Sequence, residues 1–323
     1  MVYCHTKLSE WDFGVCRFFG SGLGNLLFPW ARAIVAAKRD GLVEIWPTWR
    51  QVFHSDGPRD ALKGALGLSG LRGLRNYSRL FSPTGGQIAG FRKLRLMMTR
   101  KRVSEEDYSP ERLADIEGSI VFFKGERNRF ADILTDHSLL RTELLKRCRL
   151  DLREVKSFDF SGSISIHVRL GDFQWVGPSE EIKRWVSNVR LPLSWYVEKI
   201  AHLRRRLGAS APVYLFSDGK DAELAEILTL PNCRRLGFGN ALADLFAMAR
   251  ANVLISSGSS LNRWAAFLGR PPAIHFRGTL PTRLYYDQPA SEVESDPGEE
   301  LPEAFLQAVE AAASRPRALE PAV

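Results

Sequence analysis

A chain of 323 residues is longer than one average domain, and its 45% apolar and 25% charged residues are those of a soluble globular protein, which excludes a long disordered tract. The formal net charge of +8 calls for an anionic ligand or surface, but there is no zinc-finger spacing, RNA-binding signature or aromatic-basic stripe, so nucleic acid is not an expected partner. Cys4, Cys16, Cys148 and Cys233 form no CxxC pair, the N-terminus does not read as a signal peptide, and no apolar stretch could span a bilayer; the sequence therefore predicts a cytoplasmic protein without a disulfide framework or metal cluster.

In chain order, Val15 to Phe19 predicts a first strand, and Gly20-Ser-Gly-Leu-Gly-Asn25 a glycine-rich turn into a helix. That helix carries Leu27, Trp30, Ala31 and Ile34 at helical spacing, with Pro29 expected in its first turn. Such glycines admit close approach of a ligand, and the helix N-terminus favours an anion. The spacing departs from the dinucleotide fingerprint, although Glu44 sits near the distance at which that motif needs an acid. From Gly57 to Arg102 the chain is rich in Gly and basic residues, among them Arg72, Arg75, Arg79, Arg92, Lys93, Arg95, Arg100, Lys101 and Arg102. This segment reads either as a solvated face or as a surface for anionic lipid headgroups or an acidic acceptor. Ser119 to Lys124 predicts a strand covered on both faces, and Ser138 to Leu150 a helix. The polar passage Asp151 to Ser161 marks the crossing between two expected domains, 1–158 and 159–323.

Ser163 to Phe173 is the stretch around which the second half of the chain is organised. Ile164, Ile166 and Val168 alternate with serines as in a strand, and Gly171 permits a sharp exit where Arg169 offers a fork of donors suited to phosphate, with Asp172 placed to orient it. Tyr196, Ile200, Leu203 and Leu207 predict a helix, Val213 to Phe216 a strand ending in Ser217-Asp218-Gly219, and Leu224 and Leu228 another helix. Asp244 to Arg250 predicts a short helix, Val253 to Ile255 a strand, Ser256 to Ser260 a loop, and Leu261, Trp264, Ala265 and Leu268 a buried helical stripe. Strand and helix thus alternate, which predicts an α/β fold whose parallel sheet opens three ligand-type loops on one edge. After Pro289 an acidic linker is expected to lead to a last helix, about 300–314, that packs back on the first domain.

Taken together, these segments resemble the alpha-1,2-fucosyltransferase family. Gly22-Leu-Gly-Asn-Leu-Leu-Phe28 resembles its GLGNQMF motif, Phe123 to Phe130 its GYWQSEKYF stretch, and His167-Val-Arg-Leu-Gly-Asp-Phe173 its HVRRGDY hallmark. Leu191 to Leu207 resembles LPxxYYxxAI, Phe216-Ser-Asp218 resembles FSDD, Asp244 to Met248 resembles DLYLM, and Ile255 to Leu268 resembles IANSTFSWWGAWL. The order holds from about residue 14 to residue 280. Four positions depart from it: Leu170 replaces the hallmark's second arginine, Gly219 the second aspartate of FSDD, Ser256 an asparagine, and Asn262-Arg263 the paired tryptophans.

The resemblance implies a GT-B architecture, two facing Rossmann-like domains with parallel sheets, and an inverting, metal-independent transfer from GDP-fucose or another GDP-sugar to a hydroxyl of a glycan acceptor, without a cofactor. It implies that Arg169 stabilises the leaving diphosphate and that Ser257, Ser259 and Ser260 hold the phosphates. His167 and Asp218 would contact guanine or ribose, and Gly22, Gly24 and Asn25 would close over the diphosphate from the first domain. Asp172 and Glu126 are candidates for the general base, and Asp172 equally for orienting Arg169. A non-catalytic GDP-sugar or glycan-binding protein of the same fold is the alternative. The acceptor is expected to be a surface polysaccharide or glycolipid, with peripheral association on an anionic membrane, the inner face of the plasma membrane.

Overall fold

A computed structural model of the chain describes residues 1–53, 76–177 and 188–313; Arg72 and Arg75 of the basic segment lie outside the described residues. These residues divide into two compact units, one ending at Leu150 and the other beginning at Asp151.

In the first unit the central strand is β1 (Tyr3–Lys7), which no pattern in the sequence had predicted. Its Cys4, His5 and Thr6 are all buried, and it has a strand neighbour on either side. The passage predicted as the first strand instead gives β3 (Arg17–Phe18), which pairs with β2 (Trp11–Asp12) and β5 (Gln51–Phe53) in a small separate sheet. Between them, α1 (Leu23–Arg39) starts at the glycine turn and is buried from Leu23 to Ala36 along most of its circumference. Pro29 lies in its interior and not in its first turn, so the Asn25 carbonyl has no N–H partner one turn on. With β4 (Val43–Ile45), β6 (Arg102–Ser104) and β7 (Ile120–Lys124), β1 forms a parallel sheet in the order β4-β1-β7-β6. Among the described residues the unit also holds the α-helices α2 (Gly90–Thr99) and α3 (His137–Arg147).

The second unit opens with α4 (Arg153–Ser157). Its turn is held by Arg250, whose guanidinium donates to the carbonyls of Val155 and Phe158, so the polar passage read as a crossing belongs to this unit's structure. Along the chain come β8 (Ile164–Val168), α5 (Leu193–Leu207), β9 (Val213–Ser217), α6 (Ala225–Leu228) and β10 (Cys233–Arg235). Then come α7 (Ala241–Ala249), β11 (Val253–Ile255), α8 (Ser260–Gly269), β12 (Ala273–Phe276), β13 (Glu292–Ser295) and α9 (Glu303–Ala313). The predicted alternation is therefore observed, and the fold class is α/β with parallel sheets.

The six strands lie in the order β10-β9-β8-β11-β12-β13, all parallel. Numbered from β8, this is the doubly wound order 3-2-1-4-5-6, in which the chain reverses its direction of travel between β8 and β11. All five residues of β8 are buried, because helices cover both faces of the sheet; its serines alternate with aliphatics without reaching water. Trp195, Tyr196, Ile200 and Leu203 of α5 join Ile164, Ile166 and Val168 in one core, where each fully buried side chain contributes roughly 1.5–3 kcal/mol. A Cβ at Gly269 would fall 1.9 Å from the Ala249 carbonyl oxygen, so α7 and α8 pack at a contact that only glycine permits.

Two expectations about the C-terminal region are corrected. The acidic passage after Pro289 is not a linker: it forms β13, where buried Glu292 accepts from the N–H of Leu284 at 2.8 Å. The last helix, α9, buries Phe305 and Val309 in the second unit's own core, because its apolar stripe matches the face left open beside α5.

Candidate functional site

In an open parallel sheet, the strand ends on either side of the reversal point diverge and leave a crevice between their loops. Here those loops come after β8 and β11. Ile255 stands level with Ile166, so the loop Ser256–Ser260 begins beside His167 and Val168. The two are tied across the reversal by His167 Nδ1 and Ser257 Oγ, 2.7 Å apart. Burial, and then the charge of Arg169, push the His167 imidazole down to about 4. It is neutral at pH 7 and acts there by hydrogen bonding, not by charge.

Arg169 leads the turn after β8 and is 29% exposed. Its Nε and Nη2 donate to Asp172 Oδ1 at 3.1 and 2.7 Å, and Nη1 pairs with Asp218 Oδ2 at 2.9 Å. The Phe173 ring lies 5.8 Å from the guanidinium carbon. Asp218 also accepts from the N–H groups of Leu170 and Gly171, at 2.9 and 3.0 Å. A Cβ on Gly171 would stand 2.1 Å from Asp218 Oδ2, so glycine is required for this carboxylate to grip the turn. Asp218 thus ties the Arg169 guanidinium to the backbone of the turn.

The serine loop is shaped by its own side chains. Gly258 has φ +74°, a left-handed conformation, and the Ser256 hydroxyl accepts from its N–H at 3.2 Å. Ser259 is the N-cap of α8 and accepts from Leu261 N at 3.3 Å, while Ser260 is the helix's first residue. The backbone N–H groups of this helix end thus stand beside the crevice, a favourable place for an anion.

The departures from the motif series fit one another. Leu170 is buried, and a Cβ on Gly219 would lie 2.5 Å from its Cδ1, so loss of one side chain makes the space that the other fills. Ser256 accepts from Asn262 Nδ2 at 2.6 Å, joining the altered loop to the altered helix. Buried Arg263 donates to the Thr279 carbonyl, anchoring the first turns of α8 to the loop after β12.

Of the sequence-predicted residues, the second unit brings together His167, Arg169, Asp172, Asp218, Ser257, Ser259 and Ser260. Gly22, Gly24 and Asn25 stand at the N-terminus of α1 in the first unit, where a Cβ at Gly22 would meet no atom of the described residues within 4 Å. Glu126 lies in the turn after β7, 3.6 Å from Arg129, and that turn is fixed by buried Arg32 donating to the carbonyls of Lys124, Gly125 and Arg127. Among the described residues no group of three His, Cys, Asp or Glu is placed to hold a metal ion.

Two features had no signal in the sequence. Burial pushes the Asp244 carboxyl up to about 6, while it accepts from Phe238 N at 2.6 Å and so fixes the loop after β10. In the first unit, His5 and Asp12 lie 3.5 Å apart in the interior, and buried Lys93 donates to Thr48 at 2.8 Å; burial, opposed by Asp12, pushes this lysine down to about 8. Lys93 and Thr48 line a cavity of about 330 Å³ walled by Trp46, Trp49 and Phe81. No local pattern announced either feature, since both arise from side chains distant in sequence.

No family model matches the chain, and no curated protein matches it. Solved structures do match at low identity. NodZ alpha-1,6-fucosyltransferase co-crystallized with GDP is 14% identical, with 85% of this chain and 95% of that chain covered and a TM-score of 0.48. The fucosyltransferase NodZ from Bradyrhizobium is 15% identical over 86% and 97%, with a TM-score of 0.47. POFUT1 in complex with GDP is 11% identical over 82% and 99%, with a TM-score of 0.42.

Proposed function

We propose that the chain is an inverting glycosyltransferase of GT-B type that uses a GDP-sugar, with GDP-fucose as the first candidate, and a glycan hydroxyl as acceptor. The observation that carries this reading is the coincidence of two independent facts. The reversal point of a 3-2-1-4-5-6 sheet is where a nucleotide binds, and the residues found there are the hallmark turn and serine loop of the motif series. The motif resemblance also assigns Gly22, Gly24 and Asn25, at the N-terminus of α1, to the diphosphate.

Arg169 is the group to which the chemistry is assigned. As the glycosidic bond breaks, negative charge accumulates on the departing diphosphate, and a fixed guanidinium stabilises that charge more than it stabilises the ground state. The N-terminus of α8 adds its dipole, and neutral His167 keeps the serine loop in register. Asp172, half-exposed beside Arg169, serves either to orient the arginine or to take the acceptor's proton. An alpha-1,2 linkage is the form that the motif resemblance favours.

A non-catalytic GDP-sugar-binding protein is the second reading, favoured by Leu170 in place of an arginine. Turnover separates the two. A thermal-shift panel of GDP- and UDP-sugars should single out GDP-sugars, a ligand at a hundred times its dissociation constant raising stability by ~2.7 kcal/mol. GDP-fucose should then be slowly hydrolysed by the protein and not by Arg169→Ala. Binding without hydrolysis or transfer would leave the second reading, and a preference for UDP-sugars would sink both.

A further inference from the structure

We infer that the first unit docks on an anionic phospholipid bilayer through the outer face of α2, an inference independent of the donor reading. The helix has two contrasting faces. Lys93, Leu96 and Met97 are buried, whereas Phe91, Arg95 and Met98, at positions i, i+4 and i+7, share the opposite side. Phe91 is 83% exposed and Met98 85%, with Arg92 beside them and Arg100 and Lys101 just beyond the helix end. The patch continues into the β2–β3 hairpin. Gly14 is seated so closely on Leu94 and Met97 that a Cβ there would fall 2.9 Å from Leu94 Cδ2, and its neighbours Phe13 and Val15 are 51% and 57% exposed.

Lone apolar residues at a surface are ordinary, but two long apolar side chains on one helical face, set among arginines and continued by a second apolar tip, are what an interfacial helix requires. Phe91 and Met98 would enter the acyl boundary. Arg92 and Arg95 would lie along it by their stems and reach lipid phosphates with their heads. Charge complementarity fixes the sign of the surface, and the apolar pair fixes its kind: a nucleic-acid duplex would pair with the arginines yet leave Phe91 and Met98 in water. Among the described residues no helix is long and apolar enough to cross a membrane.

The test is co-sedimentation of the full chain with phosphatidylcholine vesicles made with and without phosphatidylglycerol. Binding should require phosphatidylglycerol. Phe91→Ser with Met98→Ser should weaken it at least about tenfold. Arg92→Glu with Arg95→Glu should weaken it about fivefold or more per charge and flatten its salt dependence. All four positions are exposed, so melting temperature and GDP binding should be unchanged; this separates a failure of docking from a failure of the fold or of the donor reading. Undiminished binding by the Phe91/Met98 variant would overturn the inference. So would heparin competing equally for protein and variant, which would assign the patch to a soluble polyanion.

Discussion

At the carboxyl end of β8, Arg169, Asp172 and Asp218 are each between a quarter and three-fifths exposed, whereas in the first unit His5, Asp12 and Lys93 are sealed in the interior. Both are charge clusters belonging to parallel-sheet units, yet they answer to different physics. Water screens the exposed cluster, so a phosphate can displace a carboxylate from Arg169 at little cost. The buried cluster cannot be rearranged without stranding a desolvated charge, and it is bound up with the stability of the first unit. The difference separates a set of groups free to exchange partners from a set committed to the fold.

The sharpest way to break this comparison is at Arg169. Arg169→Lys keeps the charge but loses the planar fork, and we expect turnover of GDP-fucose to fall by roughly 10²–10³ with little change in GDP affinity or melting temperature. Single-turnover hydrolysis beside GDP titration reads both quantities. Unaltered turnover would place the chemistry elsewhere.

Lys93 should behave in the opposite way, altering stability and not the GDP site. Between about pH 8 and the ordinary lysine value of 10.5, the unfolded chain holds a proton that the folded protein has released. Stability conferred at this position therefore rises with pH across that window, by about 3 kcal/mol in total, and below it the cost of burying the charged form is carried in full. Urea denaturation from pH 7 to 10.5 should show this rise in the wild type relative to Lys93→Met, whose GDP affinity should match the wild type. An identical pH profile for the two proteins would show that the lysine is not held in its buried state.

The smallest effect expected is also the most local. Gly219→Asp places new atoms against Leu170, so the single change should destabilise by about 1–3 kcal/mol. Combined with Leu170→Arg it should cost markedly less than the sum, because the leucine is gone and an ion pair replaces it. Additivity in this cycle, measured by chemical denaturation, would refute the interlocking of the two positions.

The alternation of periodic segments was enough to give parallel α/β sheets, since period-two and period-3.6 patterns depend only on neighbouring residues. The turn of Arg169 and the loop of Ser257 were legible for the same reason: glycine and polar residues at a strand end mark themselves locally. Other features were invisible there. Strand β1 looked polar because nothing in Cys4-His-Thr6 tells that its neighbours are strands forty and more than a hundred residues away, and β13 looked like a linker because the partners of Glu292, among them His275, Leu284 and Tyr285, lie outside the acidic passage. That Asp218 accepts from the N–H groups of Leu170 and Gly171, forty-seven and more residues away, was equally hidden in the sequence. The sequence by itself determined which segments become strands and helices and where their polar ends fall; the tertiary structure decided which polar side chains are desolvated and what each one grips, because burial and pairing depend on partners that only the folded chain assembles.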